Sequence, residues 1–572
     1  MSATSPSRLG LDIGVYDQVI AFSQDDINET LEYHYDNHEE LKSFEVKLST
    51  ATKEAIRGKI AAPTIELIDK EGADQAFYCL EFTEGFYSWW NQEATDANAP
   101  VDPDAPPGSA PWVQNKIPVK GWKLAFYVDF AMKKMEVIPE KIKSQINIPG
   151  NYGVDQLLID FGTADSMSFN WDLSVVKGFS DKEMEVAARD VISQFVSRWL
   201  SKVKSTEGNH NVLGYAVKGI HDESQSVLKT DPSFPPTAVR LQTINVLPEG
   251  DKDKASSKNG RNAFLFTEMT GPGGPDRLKE ANDLAWSGDF FYDSIGGTLV
   301  MSRRIFWDSF IKEKLQAVNR DAIFDLNKVA KKLATPELAS HIDWCLSDSS
   351  NDVRLGEWSS TDGLSERYTW KAGKYFDVEH EVPGVNHMYE YWIGTSVDHS
   401  LVPEVGTGKI LLKYDISLKT TLKLGIYGIP KDLSNFTVST DCSYSGTLTI
   451  NLTAVDSSGG LSIKATDSES QPTIQVDANF GGLAVKVLEA IPLVGSMFGN
   501  ADEVNAMKKF ITDTMESSIR GIAATSSELE AALSGQKRFV FPGGGTFDMK
   551  SPVFSKNGDL LIGLSYRKGD VI

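Results

Sequence analysis

Cysteine is scarce in this chain: Cys79, Cys345 and Cys442 are the three present in 572 residues, far apart and with no CxxC pair. That count supports neither a disulfide framework nor a cysteine zinc site, and free buried thiols are the expected state. Positive charge is also in short supply. Lys plus Arg number 57 against 79 Asp plus Glu, and the formal net charge of −22 opposes attraction to phosphate backbones or anionic membrane surfaces, so no nucleic-acid partner is expected. No stretch reaches the roughly 18 apolar residues of a membrane-spanning helix. The nearest approach, Leu483 to Phe498, is interrupted by Lys486, Glu489 and Pro492. The first ten residues are polar and lack the apolar core of a signal peptide. A cytoplasmic location, or export without a classical signal peptide, is therefore expected, and the sequons at Asn28, Asn435 and Asn451 are read as chance matches.

The motifs of familiar enzymes are missing as well. Gly406-Thr-Gly-Lys409 has the wrong spacing for a phosphate-binding loop and is followed by Ile410 rather than Ser or Thr. There is no GxSxG elbow, no HExxH, no GxGxxG after a strand and no calcium-binding EF-hand loop. Of the eight histidines, His380 and His387 alone sit in a stretch dense in other ligand types, with Asp377, Glu379 and Glu381. That spacing fits no standard metal site, and a solvated strand edge is the simpler reading. A glycosidase-like carboxylate pair is defined by separation in space rather than along the chain, and the sequence gives it no positive support. The chain is accordingly expected to be non-enzymatic, with no cofactor and no metal.

What is present is ordinary globular material. A chain of 572 residues exceeds what one core of about 100 to 200 residues usually serves, so two or more domains are expected. Hydrophobic residues at 41% and charged residues at 24% allow enough apolar burial to offset ordering entropy. After a polar leader, Ser23 caps a helix over Asp25 to Tyr35, with Ile27, Leu31 and Tyr35 at four-residue spacing. Strand patterns follow at Ser43 to Ser49 and Phe77 to Phe82, then a proline-rich loop from Pro100 to Pro111. Leu124, Phe126, Val128, Phe130 and Met132 alternate with smaller or more polar residues, which makes one face of a strand apolar throughout. Gln156 to Phe161 and Met167 to Leu173 read as further strands. Met184, Ala188, Val191, Phe195, Trp199 and Val203 then form the apolar stripe of a long helix opened by Ser180 and Glu183.

Strands are expected at Ala238 to Val246 and Ala263 to Glu268, and helices again from Gly271-Pro-Gly-Gly-Pro275 onward, including Asp308 to Val318. From Asp352 to Asn479, alternating Thr, Val, Ile, Tyr and Leu give the composition of antiparallel sheet. A second long helix is expected after Asn500, with Val504, Met507, Ile511, Met515, Ile519 and Ile522 on one side. The order is thus sheet followed by one long amphipathic helix, twice. This predicts an α+β fold with lobes over residues 1–290 and 291–572, the second opened by a helical connector at about 303–347. Two aromatic clusters, Phe86 to Trp90 and Trp370 to Phe376, would stack on sugar or meet lipid if exposed, and are core if buried.

Several stretches together bear a resemblance. Leu11-Asp12-Ile-Gly-Val15 leading to Asn28, Gln156-Leu-Leu-Ile-Asp160-Phe-Gly-Thr-Ala164, and Phe234-Pro-Pro-Thr237 before a strand are similar to the clostridial proteins encoded beside botulinum neurotoxins, the forty-seven-kilodalton protein and its OrfX relatives. Gly296-Gly-Thr-Leu-Val300-Met-Ser302 with Ile305-Phe-Trp307, and Phe541-Pro-Gly-Gly544 with Leu560 to Tyr566, fit the same pattern. That family belongs to the tubular lipid-binding (TULIP) superfamily. The resemblance implies an elongated protein of two curved antiparallel sheets, each wrapped on a long amphipathic helix, with an interior that holds an apolar tail. Leu124, Phe126, Val128, Phe130, Phe195, Trp199, Met507, Ile511 and Met515 would then line the lipid-binding walls. The chain is longer than the forty-seven-kilodalton protein, chiefly in the sheet-rich stretch from Asp352 to Asn479. A lipid or other apolar ligand and a protein partner in a larger toxin complex are the expected partners. The alternatives are a structural or protein-interaction component whose interior is filled by side chains, and a carbohydrate-binding protein built around Trp89, Trp90 and Trp370.

Overall fold

A computed structural model describes residues 2–47, 54–67, 75–92, 112–134, 152–160, 169–179, 182–205, 212–219, 233–247, 255–315, 357–360, 364–382, 385–426, 436–455, 460–467, 473–480, 547–550 and 552–566. These residues form three antiparallel sheets and a few helices, an α+β fold.

The first sheet has eight strands. Its main path runs Ser43–Lys47, Ala55–Ile60, Gln75–Gln92, Lys123–Lys134, Tyr152–Asp160 and Val212–Gly219, with Thr64–Leu67 and Trp112–Pro118 also paired to Gln75–Gln92. The 18-residue strand Gln75–Gln92 changes partners along its length. Residues 75–81 pair with 123–129, and residues 86–92 pair with 112–118. The handover lies at Gly85, which faces Gly58 across the ladder. A Cβ at Gly85 would stand 2.2 Å from the Arg57 carbonyl oxygen, and its φ of +124° suits glycine alone. Two backbones therefore approach more closely here than any side chain allows.

Along Lys123–Lys134 the expected alternation is observed. Leu124, Phe126, Val128 and Phe130 enter the main core, whereas Ala125 turns to a smaller cluster with Phe77 and Cys79 on the opposite face. Helix α1, Gln24–Asn37, begins where Ser23 accepts the Asp26 amide, as the capping pattern predicts. Helix α2, Lys182–Ser205, buries Ala188, Ile192, Phe195, Val196, Trp199, Leu200 and Val203 against the first sheet. The Trp199 indole stacks on Phe44 at 5.5 Å and donates to the Ser43 carbonyl at 3.2 Å. The strand expected at Met167 to Leu173 is not formed over its described part. Residues 169–179 instead make single bridges from Phe169 to Phe126 and from Val175 to Lys123, because Asn170 folds the chain into a turn by accepting the amides of Asp172 and Leu173.

The second sheet is assembled from distant parts of the chain. Its order is Pro236–Ile244, Ala263–Thr270, Gln18–Ser23, Gly297–Met301, Leu560–Tyr566 and Phe547–Met549, with Val553–Phe554 also paired to Leu560–Tyr566. Both faces are covered, so Ala263–Thr270 and Gly297–Met301 are buried at every residue. One face, with Phe22, Phe264, Phe266, Leu299 and Ile562, joins the main core. The other, with Val19, Ala21, Leu265, Val300 and Leu561, builds a second one. The leader is less free than its polarity suggests, since Leu9, Leu11, Ile13 and Tyr16 are buried. This sheet takes strands from both ranges, 1–290 and 291–572.

The third sheet runs Glu357–Ser360, Glu366–Val382, Val385–Glu404, Lys409–Ile426, Phe436–Val455 and Leu461–Asp467, with Thr473–Phe480 also paired to Phe436–Val455. Its four long strands have 17 to 20 residues, a reach of about 55 to 65 Å at ~3.3 Å per residue. Gly406-Thr-Gly-Lys409 belongs to a hairpin turn fastened to Phe554 by two backbone hydrogen bonds. The connector opens as a π-helix, Arg304–Ile311, continued to residue 315. Its Ile305, Phe306, Trp307, Phe310 and Ile311 join the main core. The rest of the connector, the loop from Pro100 to Pro111 and the helix expected after Asn500 lie outside the described residues.

Replacing Gly85 by Ala should lower unfolding free energy by at least about 1–3 kcal/mol, the cost of forcing a side chain into such a conformation. Gly121, with φ of +78° but nothing within 4 Å of its would-be Cβ, should lose less on the same change. Chemical denaturation of the two variants measures the difference.

Candidate functional site

Six of the nine residues expected to line an apolar interior come together. Leu124, Phe126 and Val128 are 0% exposed and Phe130 is 2% exposed, and Phe195 and Trp199 of α2 are equally covered. Each ring meets another. Phe126 lies 5.5 Å from Tyr78 and 5.5 Å from Phe169. Phe130 lies 4.3 Å from Phe264 of the second sheet, and Phe195 lies 6.2 Å from Tyr87. The result is an aromatic interior to which the first sheet, α2 and the second sheet all contribute. Met507, Ile511 and Met515 lie outside the described residues.

The cluster from Phe86 to Trp90 turns partly inward, because alternate residues of its strand face the core. Tyr87 is buried, Trp89 packs on the main core, and their rings stack at 5.1 Å. His380 and His387 occupy paired register positions in the hairpin between Glu366–Val382 and Val385–Glu404. Among the described residues no group of three His, Cys, Asp or Glu side chains is arranged to hold a metal ion.

The polar groups of the interior escaped the sequence reading. Asp17, 0% exposed, accepts the backbone amide and hydroxyl of Thr270 at 2.7 and 2.8 Å and both terminal nitrogens of Arg277 at 3.1 and 2.6 Å. It also pairs with Arg304. Glu268 is buried on the same sheet, opposite Gln18. The alternation of its strand puts it on the face of Phe264 and Phe266, toward the main core. Loss of hydration drives its carboxyl up to about 8, against a hydrogen bond from Gln18 that favours the anion. Glu268 Oε2 and Gln18 Oε1 have no hydrogen-bond partner among the described residues. Burial also pushes the Cys79 thiol up to about 11, which makes it a poor nucleophile. No pattern in the sequence distinguishes Asp17 or Glu268 from a solvated acid, since each depends on strands brought together from far along the chain.

Among the described residues, the fold is α+β, with three antiparallel sheets and a main core rich in aromatic rings. No known protein family matches the chain, and no curated protein matches it. Among solved structures it is similar to P47 from Clostridium botulinum A2, with 10% identity and a TM-score of 0.42, over 98% of this chain and 99% of that one. It is similar to P47 of Clostridium botulinum E1 at 10% identity and a TM-score of 0.41, over 96% and 99% of the two chains. A lipopolysaccharide binding protein also matches at 10% identity and a TM-score of 0.32, over 96% and 99%. The P47 structures belong to the forty-seven-kilodalton group that the sequence motifs resemble. No described helix is long and apolar enough to cross a membrane.

The Glu268 carboxyl has a definite consequence for stability. Between the ordinary value of 4.5 and about 8, the unfolded chain has released a proton that the folded chain keeps. Its contribution is therefore intact at low pH and is lost as pH rises across that window. Denaturant midpoints of the wild type and Glu268→Gln, measured from about pH 4.5 to about pH 8.5, should converge at the acid end and separate toward the alkaline end in favour of the variant. Parallel curves would contradict the assignment.

Proposed function

We propose that the protein is a non-enzymatic binding protein for lipids or other apolar ligands, built on the tubular lipid-binding plan, and an accessory component of a toxin complex. The observation that supports this best is the aromatic interior itself. One apolar strand face, Leu124 to Phe130, shares a core with an amphipathic helix that contributes Phe195 and Trp199, and an apolar interior of this kind suits an acyl tail without any catalytic group. Burial of acyl carbons at about 0.8 kcal/mol each makes a tail of a dozen carbons energetically ample. The accessory role rests on the sequence resemblance, as does the wider plan of two curved sheets each wrapped on a long helix. In this reading the chain divides into lobes at residues 1–290 and 291–572, and Met507, Ile511 and Met515 line the second. Its place in this reading is the cytoplasm or, after export, outside the cell.

A second reading has its own support. The rings of Phe126, Phe130, Phe195 and Trp199 already contact neighbouring rings, as they would in an interior filled by side chains that serves only to present a surface to protein partners. Native and denaturing mass spectrometry of the purified protein, with organic extraction, separates the two. The lipid reading predicts stoichiometric adducts in the native spectrum that extraction identifies as lipid. A native mass equal to the chain alone, unchanged after incubation with mixed phospholipids and fatty acids, overturns it in favour of the filled interior.

A further inference from the structure

On the face of the second sheet that looks away from the main core, residues 12–16 and 277–287 enclose a groove of about 600 Å³, within the ~300–1,000 Å³ range of ligand sites. Its floor is apolar: Ile13, Tyr16, Met269 and Leu284 are buried there. Its lip carries Val15, 63% exposed, and the half-buried Trp286. Val15 is the most exposed large apolar side chain among the described residues. An apolar residue held so far into water beside an apolar floor has the form of an uncovered contact.

The walls are fixed before anything binds. Arg240 donates to the carbonyls of Leu278 and Ala281 at 2.5 and 2.9 Å, and Tyr16 donates to Asn282 at 2.8 Å. Gln242 both donates to and accepts from the Leu284 backbone. Asp12 and Ser287 exchange two hydrogen bonds that pin the opposite wall. Groups held by such bonds need not be ordered on association, which removes part of its entropic cost.

Charge selects the occupant. Four charged residues besides these apolar ones line the groove, and two have ion-pair partners of their own: Asp283 pairs with Arg240, and Arg277 is turned to Asp17, which it shares with Arg304. The carboxylates of Asp12 and Glu280 remain, both exposed, with no ion-pair partner among the described residues. We propose that this groove docks an extended segment of a partner protein that presents a Lys or Arg beside an apolar side chain, the apolar group seated between Val15, Leu284 and Trp286 and the cation set against Glu280 and Asp12. The site is separate from the aromatic interior and stands whether or not that interior holds a lipid.

The test uses the whole protein and fluorescein-labelled nonapeptides of alternating Lys and Leu, of Gln and Leu, and of Lys and Ser, followed by anisotropy. The protein is acidic overall, so the comparison that decides is between Glu280→Lys and Glu32→Lys, which change net charge equally. Glu32 is exposed on α1, outside the groove. The Lys–Leu peptide should bind the wild type and the Glu32→Lys control alike. It should bind Glu280→Lys at least about tenfold more weakly and Val15→Ser several-fold more weakly, with both other peptides weak throughout. Val15 and Glu280 are surface residues, so unchanged thermal melting certifies that the variants fold. Equal weakening in Glu32→Lys would reduce the effect to bulk charge and overturn the proposal, as would no binding of the Lys–Leu peptide up to about 1 mM. Tighter binding of dodecylammonium than of the peptide, with the same dependence on Glu280 and Val15, would also overturn it, in favour of a small amphiphilic cation.

Discussion

The carboxylate of Asp17 is the constraint on which the arrangement of the second sheet depends. A fully buried charge costs several kcal/mol unless opposite charge and hydrogen bonds meet it. Here Thr270, Arg277 and Arg304 together supply them. The residues come from three places: a strand, the short helix Gly274–Glu280 and the first turn of the π-helix. Asp17 also donates its own amide to Glu268 and accepts the amide of Ser302 through its carbonyl, at 3.0 and 2.8 Å. One residue thereby sets the position of the strand Gln18–Ser23, which lies between Ala263–Thr270 and Gly297–Met301.

The segment that follows Ser302 extends this fastening to the third sheet. The Arg303 amide donates to Asp559 at 2.8 Å, its guanidinium pairs with the buried Glu366, and Lys312 reaches Glu366 at 2.9 Å. Trp307 donates to the Gly558 carbonyl at 3.0 Å. The π-helix is thus held at both ends by carboxylates while its middle is apolar, and side chains of all three sheets join one core around it. The N-terminal segment adds a second fastening. Arg8 is buried over the Tyr292 ring and donates to Thr298, while Lys556 and Asn557 donate to the carbonyls of Leu9 and Leu11.

Local patterns were legible in the sequence and distant ones were not. The alternation of Leu124 to Phe130, the stripe of α2 and the Ser23 cap each depend on residues within a few positions of one another, and each gave the right element. The second sheet depends on pairs such as Phe22 with Gly297 and Thr298 with Gly563. Its first strand, six residues long, is too short to announce itself beside a polar leader. The burial of Leu124, Phe126, Val128 and Phe130 follows from a strand face that repeats every second residue, and that of Phe195 and Trp199 from the three-to-four-residue repeat of a helix. Asp17, Glu268 and Glu366 were missed because their burial comes from partners 60 to 290 positions away, as with Arg303 for Glu366 and Arg304 for Asp17. The π-helix Arg304–Ile311 falls in the expected helical connector from about residue 303 but was read as an ordinary helix over Asp308 to Val318, since its apolar residues satisfy either spacing.

The claim on which the rest stands is that Asp17 fastens the helix Gly274–Glu280 and the π-helix to the second sheet. Amide hydrogen exchange of Asp17→Asn against the wild type tests it most directly. Exchange should quicken together in residues 274–280 and 304–315 while Lys123–Lys134 in the first sheet keeps its protection. Unchanged exchange in both helical segments, or quickening confined to one of them, would contradict the account.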